Sequence, residues 1–298
     1  MAQASVKEKI LFLINPNSGT KHKGELPKLI HNLIDTSHFE VEIIETQFKG
    51  EATELVNKRL LDHYRYFIAV GGDGTVNEIA KALINKDAIL GIIPAGSGNG
   101  LARHLKIPIQ PAKAIQLINK LNYSTIDYGT INSIPFFCTC GIGFDALIGE
   151  KFDKSIGRGL FNYIKSALVE YFHYKPEIYK ITIDHKTKIE RKAFLITFAN
   201  SSQYGNNAFI APRADICDGK HDITLIAPFR FYQAPSIGFR LFTGTIDQSP
   251  LILSRQAKHV RIERESEGLI HFDGETLKMG KELEIMSYNR GLNVIVPT

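Results

Sequence analysis

The chain is poor in cysteine: Cys138, Cys140 and Cys217 are the three among 298 residues. An odd count with no CxxC pair argues against a disulfide framework and a structural zinc site, and it points to a reducing compartment. Long apolar runs are also missing, since none approaches the roughly 18 residues that a membrane helix needs. Met1 to Lys9 lead into only the five apolar residues Ile10 to Ile14 before Asn15-Pro16, too short a stretch for a signal peptide. The expected location is therefore cytoplasmic, with any membrane contact peripheral. Charge of one sign is scarce as well: 36 Lys and Arg against 31 Asp and Glu leave +5. That balance fits anionic membranes or phosphate-bearing ligands, and equally plain solubility, but it is too weak to argue for nucleic-acid binding. With 44% hydrophobic and 22% charged residues, disorder and collagen-like structure are excluded. There is no internal repeat, no low-complexity tract, and no HExxH or other ligand spacing among the ten histidines.

What is present is a change of texture along the chain. Up to about residue 125, strand and helix patterns alternate. Strands are expected at Ile10 to Ile14, Val41 to Ile44, Tyr66 to Val70 and Ile89 to Ile93. Helices are expected at Glu25 to Ile34, Ala52 to Leu61, Val76 to Ile84, near Leu101, and at Ala112 to Leu121. Repeated βα units favour a parallel sheet with helices on both faces. After Asp127 short strands dominate: Tyr179 to Ile183 and Ala193 to Phe198 around a polar turn at Asp184 to Lys188, then Ile223 to Ile226, Val260 to Ile262 and Leu269 to Phe272. One helical pattern, Leu160 to Phe172, interrupts them. Its Phe161, Ile164, Leu168, Tyr171 and Phe172 are read as core. Two last strands, Leu283 to Met286 and Leu292 to Val296, flank a turn at Asn289-Arg290-Gly291. The expected division is an α/β domain over 1–127 with a returning tail 282–298, and a β-rich domain over 128–281.

The sharpest local feature is Gly71-Gly72-Asp73-Gly74-Thr75-Val76-Asn77-Glu78, where an apolar strand hands over to a helix. Glycines there bring backbone N–H groups close to a ligand, and the helix aims its positive dipole end at the same place. Thr75 and Glu78 have capping-box spacing, which would fix the helix start. A tight, well-capped turn explains the glycines; it does not explain Asp73, an acid among anion-attracting groups, whose natural role is to hold Mg²⁺ beside a phosphate chain. Pro94-Ala95-Gly96-Ser97-Gly98-Asn99-Gly100 and Asn15-Pro16-Asn17-Ser18-Gly19 follow two other strands. All three turns would converge at the carboxyl edge of the sheet, where open α/β sheets bind ligands. The P-loop pattern and the protein-kinase signature set are both missing. Gly141-Ile142-Gly143-Phe144-Asp145-Ala146 matches the GxGxxA fingerprint but lies outside the βα region and is read as a structural turn.

These residues resemble the diacylglycerol kinase catalytic-domain family of soluble lipid kinases, which also includes sphingosine and ceramide kinases. The resemblance runs in order through Asn15 to Gly19, Gly71 to Glu78, Pro94 to Leu105, Ile126 to Gly129, Gly141 to Asp145, Asp218-Gly219 and Asp273-Gly274-Glu275. It implies an N-terminal α/β domain with a parallel sheet like that of NAD kinases and phosphofructokinases, a β-sandwich-like C-terminal domain, and an active cleft between them. By motif match, ATP would meet Asn15, Thr46, Gly71, Gly72, Asp73, Gly74, Thr75, Val76, Asn77 and Ser97. The family often has Thr at the last position, and Ser97 keeps the hydroxyl.

Glu275 matches the family's catalytic acid, and a carboxylate that accepts the attacking hydroxyl's proton suits phosphoryl transfer. Read without the resemblance, Asp273-Gly274 is a hairpin turn that leaves Glu275 on the surface. Asp218, completed by backbone carbonyls of Asp215 and Lys220, matches a structural Mg²⁺ site, and Asp127 matches an acid near the domain junction. The implied partners are ATP, Mg²⁺, a lipid acceptor at a membrane surface, and a second copy in a homodimer; nucleic acid is not among them. Gly96 to Ala102 is spelled more like the sphingoid-base and ceramide branch than the bacterial diacylglycerol branch. Phe229-Arg230-Phe231-Tyr232 and Phe239-Arg240-Leu241-Phe242 suit a membrane interface or a partly buried helix equally. Two other readings stand beside the lipid kinase: a NAD kinase-like phosphotransferase, and a non-catalytic nucleotide- or lipid-binding regulator.

Overall fold

The computed structural model describes residues 7–19, 24–153 and 160–297. The chain divides into two compact units, Met1–Ile126 with Gly291–Thr298, and Asp127–Arg290.

The first unit carries β1 (Glu8–Ile14), α1 (Leu26–Leu33), β2 (Phe39–Glu45), α2 (Glu51–Leu61) and β3 (Tyr66–Gly71). It continues with α3 (Asp73–Leu83), β4 (Ile89–Pro94), α4 (Gly100–His104) and α5 (Pro111–Ile118). β5 (Tyr123–Ile131) leads into the second unit, which holds β6 (Ile134–Phe136), β7 (Thr139–Gly143), α6 (Phe144–Asp153) and α7 (Leu160–Tyr171). There follow β8 (Glu177–Ile183), β9 (Thr187–Ala193), β10 (Leu195–Ala199), β11 (His221–Ile226), α8 (Ala234–Thr243) and β12 (Ile252–Ala257). The unit closes with β13 (His259–Arg264), β14 (Gly268–Phe272) and β15 (Glu275–Met279). β16 (Glu282–Ile295) starts in it and ends in the first unit.

In the first unit β2, β1, β3 and β4 pair in parallel in that order, and the last residues of β16 add to β4. β3 and β4 are buried along their whole length, and β1 over Ile10 to Ile14. Helices cover both faces, so these strands read as continuous apolar runs rather than alternating ones. α3 turns Val76, Ile79, Ala80 and Leu83 inward at helical spacing. The chain leaves β1 for β2 on one side and later returns to place β3 on the other. The order therefore reverses between β1 and β3, and ligands bind outside the carboxyl ends of strands at such a switch point.

The second unit is the expected β-sandwich. β12, β11, β10, β7, β14 and β15 form one antiparallel sheet. The first half of β16 pairs with β13, then β8 and β9 follow, in the facing layer. Tyr179, Ile181, Val260, Ile262, Leu283 and Ile285 meet Cys140, Ile142, Ile196, Phe198, Ile223 and Ile270 in one core between the layers. A second cluster, built on Phe144, Ile148, Phe194 and Ile226, covers the other side of β10 with helical residues such as Ala167 and Leu241. Burial from both sides explains why β10, Leu-Ile-Thr-Phe-Ala, has no exposed position.

Four expectations need correction. The strand Tyr179 to Ile183 forms its hairpin with Thr187–Ala193, and Leu195–Ala199 lies in the other sheet. β9 is a polar edge strand, with Lys188, Glu190, Arg191 and Lys192 exposed, so it lacked apolar alternation. Charged edges of this kind block unwanted strand pairing. The two expected C-terminal strands are one, β16, in which Arg290 adopts φ +54 where a turn was expected. Helix α6 was not foreseen, while α8 (Ala234–Thr243) is a helix, one of the two readings left open for Phe239 to Phe242. Leu168 and Phe172, read as core, are exposed; the Phe161 and Ile164 side chains fall outside the described residues.

Candidate functional site

The three polar turns of the first unit do meet. Asn15 follows β1, and its N–H donates to the Val70 carbonyl at 3.1 Å at the end of β3. The Ala95 N–H donates to the Gly71 carbonyl at 2.7 Å, joining the ends of β3 and β4. Gly72 and Gly96 then touch backbone to backbone: a Cβ built on Gly72 would lie 3.1 Å from the Gly96 Cα, and one on Gly96 would overlap the Gly72 Cα. Only glycine allows that approach.

Two side chains lace the rim. Asn15 Nδ2 donates to Thr75 Oγ1 at 3.2 Å. Asp73 Oδ2 accepts the Asn99 N–H at 2.8 Å, and Oδ1 accepts the Gly100 N–H at 2.7 Å. Asp73 is thus a crosslink between two turns. Asn99 sits at φ +53, and its amide brackets Gly96 by accepting from the Gly96 N–H at 3.0 Å and donating to the Gly96 carbonyl at 2.9 Å. Sequence reasoning gave Asn99 no role; a buried Asn inside a glycine turn was the signal for one.

The capping box expected at Thr75 and Glu78 is not how α3 starts. Gly72 is the cap, α3 begins at Asp73, and no side chain caps it. Thr75 is pressed against Gly71 and has turned its hydroxyl to Asn15. The leading N–H groups of a helix have no partner inside it. At Gly74 an added Cβ would meet nothing within 4 Å, so this helix start is open on the Gly74 side. A positive helix end with space beside it fits a phosphate chain. Val76 and Asn77 are buried on the first turn of α3, and Ser97 is exposed on the rim. Thr46 is buried just past β2; its N–H donates to the Ile14 carbonyl at 2.8 Å, and its hydroxyl lies 3.4 Å from the same oxygen.

In the second unit, Asp273-Gly274 is the two-residue loop of the β14–β15 hairpin, with Phe272 opposite Glu275. Both loop residues have positive φ, +47 and +87, as the tight turn of a right-twisted hairpin requires. The Asp273 carboxylate is buried and accepts three consecutive N–H groups: Phe137 at 2.7 Å on Oδ2, and Cys138 at 2.7 Å and Thr139 at 3.1 Å on Oδ1. It pins the hairpin to the segment before β7, and Glu275, half-buried, takes its position from that pin.

Asp127 is fully buried, and its oxygens accept the Gly219 N–H at 2.6 Å and the Arg290 N–H at 2.7 Å. The neighbouring loop holds Asp215, whose Oδ1 accepts the Cys217 N–H at 2.9 Å, and Asp218, whose Oδ1 accepts the Lys220 N–H at 2.9 Å. Gln256 reaches both Asp218, at 3.3 Å, and Asp222, at 3.4 Å. Burial pushes the Asp222 carboxyl up, the charges of Asp218 and Asp215 add to this, and the Gln256 hydrogen bond and the Arg213 charge oppose it. Among the described residues, no three His, Cys, Asp or Glu side chains are grouped to hold a metal ion. An ion at Asp218 would therefore depend on backbone carbonyls, such as those of Asp215 and Lys220.

One buried pair was invisible in sequence. His271 on β14 lies 2.8 Å from Asp145 Oδ2, which also accepts from the Thr197 and Tyr204 hydroxyls, each at 3.1 Å. An added Cβ at Gly141 would fall 2.8 Å from the same carboxylate oxygen, so the GxGxxA stretch is a structural handover from strand to helix.

Residues 9–131 match the diacylglycerol kinase catalytic domain model, and residues 138–287 match the YegS C-terminal NAD kinase beta sandwich-like domain. An uncharacterized Synechocystis protein, sll0036, is 30% identical over 78% of this chain, which spans only 55% of that protein. A Mycobacterium tuberculosis diacylglycerol kinase is 28% identical, with 86% of this chain and 85% of that one covered. The crystal structure of a putative diacylglycerol kinase from Bacillus anthracis superposes with a TM-score of 0.78 at 26% identity, covering 97% of each chain.

Proposed function

Since the chain belongs to the diacylglycerol kinase catalytic-domain family with the YegS-type β-sandwich, and so to a family of ATP-dependent kinases, we propose that it transfers the γ-phosphate of ATP to a lipid hydroxyl. The observation that carries this reading is the Asp73-laced glycine rim at the β1/β3 switch point. Its open helix start and close backbone turns suit a triphosphate.

In this reading the Gly72, Gly74 and Gly96 turns receive the phosphates through N–H groups. Asn15, Thr46, Thr75 and Ser97 border the nucleotide, and Asp73, bonded to Asn99 and Gly100, would hold Mg²⁺. Mg²⁺, when bound, supplies neutralisation of the charge on the transferred phosphoryl group. Glu275 accepts the proton of the lipid hydroxyl as its oxygen attacks the γ-phosphorus and ADP departs. Asp273 keeps that carboxylate in place. Asp218 with the Asp215 and Lys220 carbonyls would hold a second, structural Mg²⁺.

A diacylglycerol-type acceptor is the first choice, because relatives named diacylglycerol kinases align over most of their length. The sphingoid-like spelling of Gly96 to Ala102 belongs to the nucleotide rim and bears little on the lipid. The test is transfer of labelled γ-phosphate from ATP to a lipid panel and to NAD. Label should enter the organic phase, and Glu275→Gln should lower turnover by about 10²–10⁴-fold with ATP still bound. Label in NADP alone would establish the NAD kinase-like reading. ATP binding without transfer to any acceptor would establish the non-catalytic one.

A further inference from the structure

We propose that the second unit docks on an anionic bilayer through one face, formed by the end of α7 and the segment Phe229 to Gly244. The choice of a bilayer as occupant rests on the lipid-kinase reading; the face itself does not. Phe172, Tyr232 and Phe239 are 68%, 71% and 70% exposed, and Leu168, Val169, Phe231 and Phe242 are exposed beside them in the chain. No residue of α8 is buried. Scattered apolar side chains on a surface need no explanation, but a contiguous set does.

Contiguity comes from the rings. The Phe172 and Phe231 rings lie 4.9 Å apart and those of Tyr171 and Phe231 5.6 Å apart, while the Tyr171 hydroxyl donates to the Phe229 carbonyl at 2.6 Å. Beneath them the tilted rings of Tyr171, Phe194 and Phe229 pack into the second core cluster, which also takes Leu241 from α8. Phe172 and Phe231 therefore stand on a packed base, and α8 is anchored beside it through Leu241. Phe239 and Phe242 are three residues apart on α8 and share a face.

The charge selects the occupant. From Phe229 to Gly244 there are two arginines, Arg230 and Arg240, and no carboxylate. His173 and Lys175 follow Phe172. The acid on α7, Glu170, is paired with Lys151 at 3.3 Å. Aromatic rings with interspersed cations match the headgroup zone of an anionic membrane. A two-fold contact between copies would instead bring two like-charged patches together, each with Arg230 and Arg240 and no carboxylate between Phe229 and Gly244.

The test is sedimentation of the full chain with sucrose-loaded vesicles, without ATP. One vesicle type is phosphatidylglycerol with phosphatidylcholine, the other phosphatidylcholine alone. The wild type should pellet with the anionic vesicles. Tyr232→Ser with Phe239→Ser should weaken this by at least about tenfold, and Arg230→Gln with Arg240→Gln should abolish the preference for anionic vesicles. Failure of the wild type to bind, or unchanged binding by both double variants, would overturn the proposal. So would a fall from dimer to monomer in light scattering, which would give the face to a second copy. A short-chain diacylglycerol below its micelle concentration serves as a monomeric acceptor. Both double variants should phosphorylate it at the wild-type rate while losing turnover on vesicles; equal loss on both forms would contradict docking. A wild type that phosphorylates no lipid would refute the kinase reading, with docking still decided by sedimentation.

Discussion

Replacing Asp273 with glycine would strip the acceptor from three buried N–H groups while leaving the turn's backbone at ease, because glycine takes the φ of +47 found there without strain. The Phe137, Cys138 and Thr139 N–H groups all end on this one carboxylate. Hydrogen bonds to a charged partner contribute about 1.5–3 kcal/mol each, and a buried donor left unmet costs about 1–3 kcal/mol. Water entering the vacated space offsets part of this, so a net loss of about 4 kcal/mol is the working value. That is a large share of the roughly 5–15 kcal/mol that holds a domain together. At a urea slope of about 2 kcal/mol/M, the unfolding midpoint of the second unit should fall by about 2 M. The assay is urea denaturation of the full chain followed by far-UV circular dichroism, with reactivity of the buried Cys138 and Cys140 thiols as a local reporter. Asp273→Asn keeps one acceptor oxygen and should lose about half as much. A midpoint shift below about 0.5 M for Asp273→Gly would refute the claim that this carboxylate holds the hairpin.

His221 is wholly buried, and burial drives its imidazole from 6.5 down to about 4. The folded state then binds fewer protons than the unfolded one between these values. Stability is complete above pH 6.5 and is lost as the pH falls through about 4, by about 3 kcal/mol in total. Stability curves against pH should show this loss, and His221→Gln should flatten it; an unchanged acid limb would assign it elsewhere. Gly96→Ala should destabilise the first unit by about 1–3 kcal/mol and weaken ATP binding in calorimetry, because its Cβ would overlap the Gly72 backbone. Gly74→Ala, with nothing within 4 Å of the new Cβ, should keep wild-type thermal stability. Equal losses in the two variants would contradict the close-packed rim.

The sequence by itself determined the α/β half of the fold. Ile10 to Ile14, Tyr66 to Val70 and Ile89 to Ile93 read as strands because burial on both faces leaves each an unbroken apolar run. The glycine turns after them were legible as clusters at strand ends, although what requires glycine at Gly72 and Gly96 is the contact between the two turns. The two-residue loop at Asp273-Gly274 was legible because a tight hairpin turn needs positive φ at both positions, whatever lies beyond. Only the tertiary structure decided what these residues hold. Asp73 bonds across to Asn99 and Gly100, Asp273 to three amides more than 130 positions earlier, and Asp127 to Arg290. A carboxylate's partner is fixed by which chain segments the fold brings within about 3 Å, and no periodicity carries that information. The same limit hid the Asp145–His271 pair and left α8 undecided between core and surface. Its aromatics have helical spacing in either case, and only the packing of Leu241 beneath them settles which face is left outside.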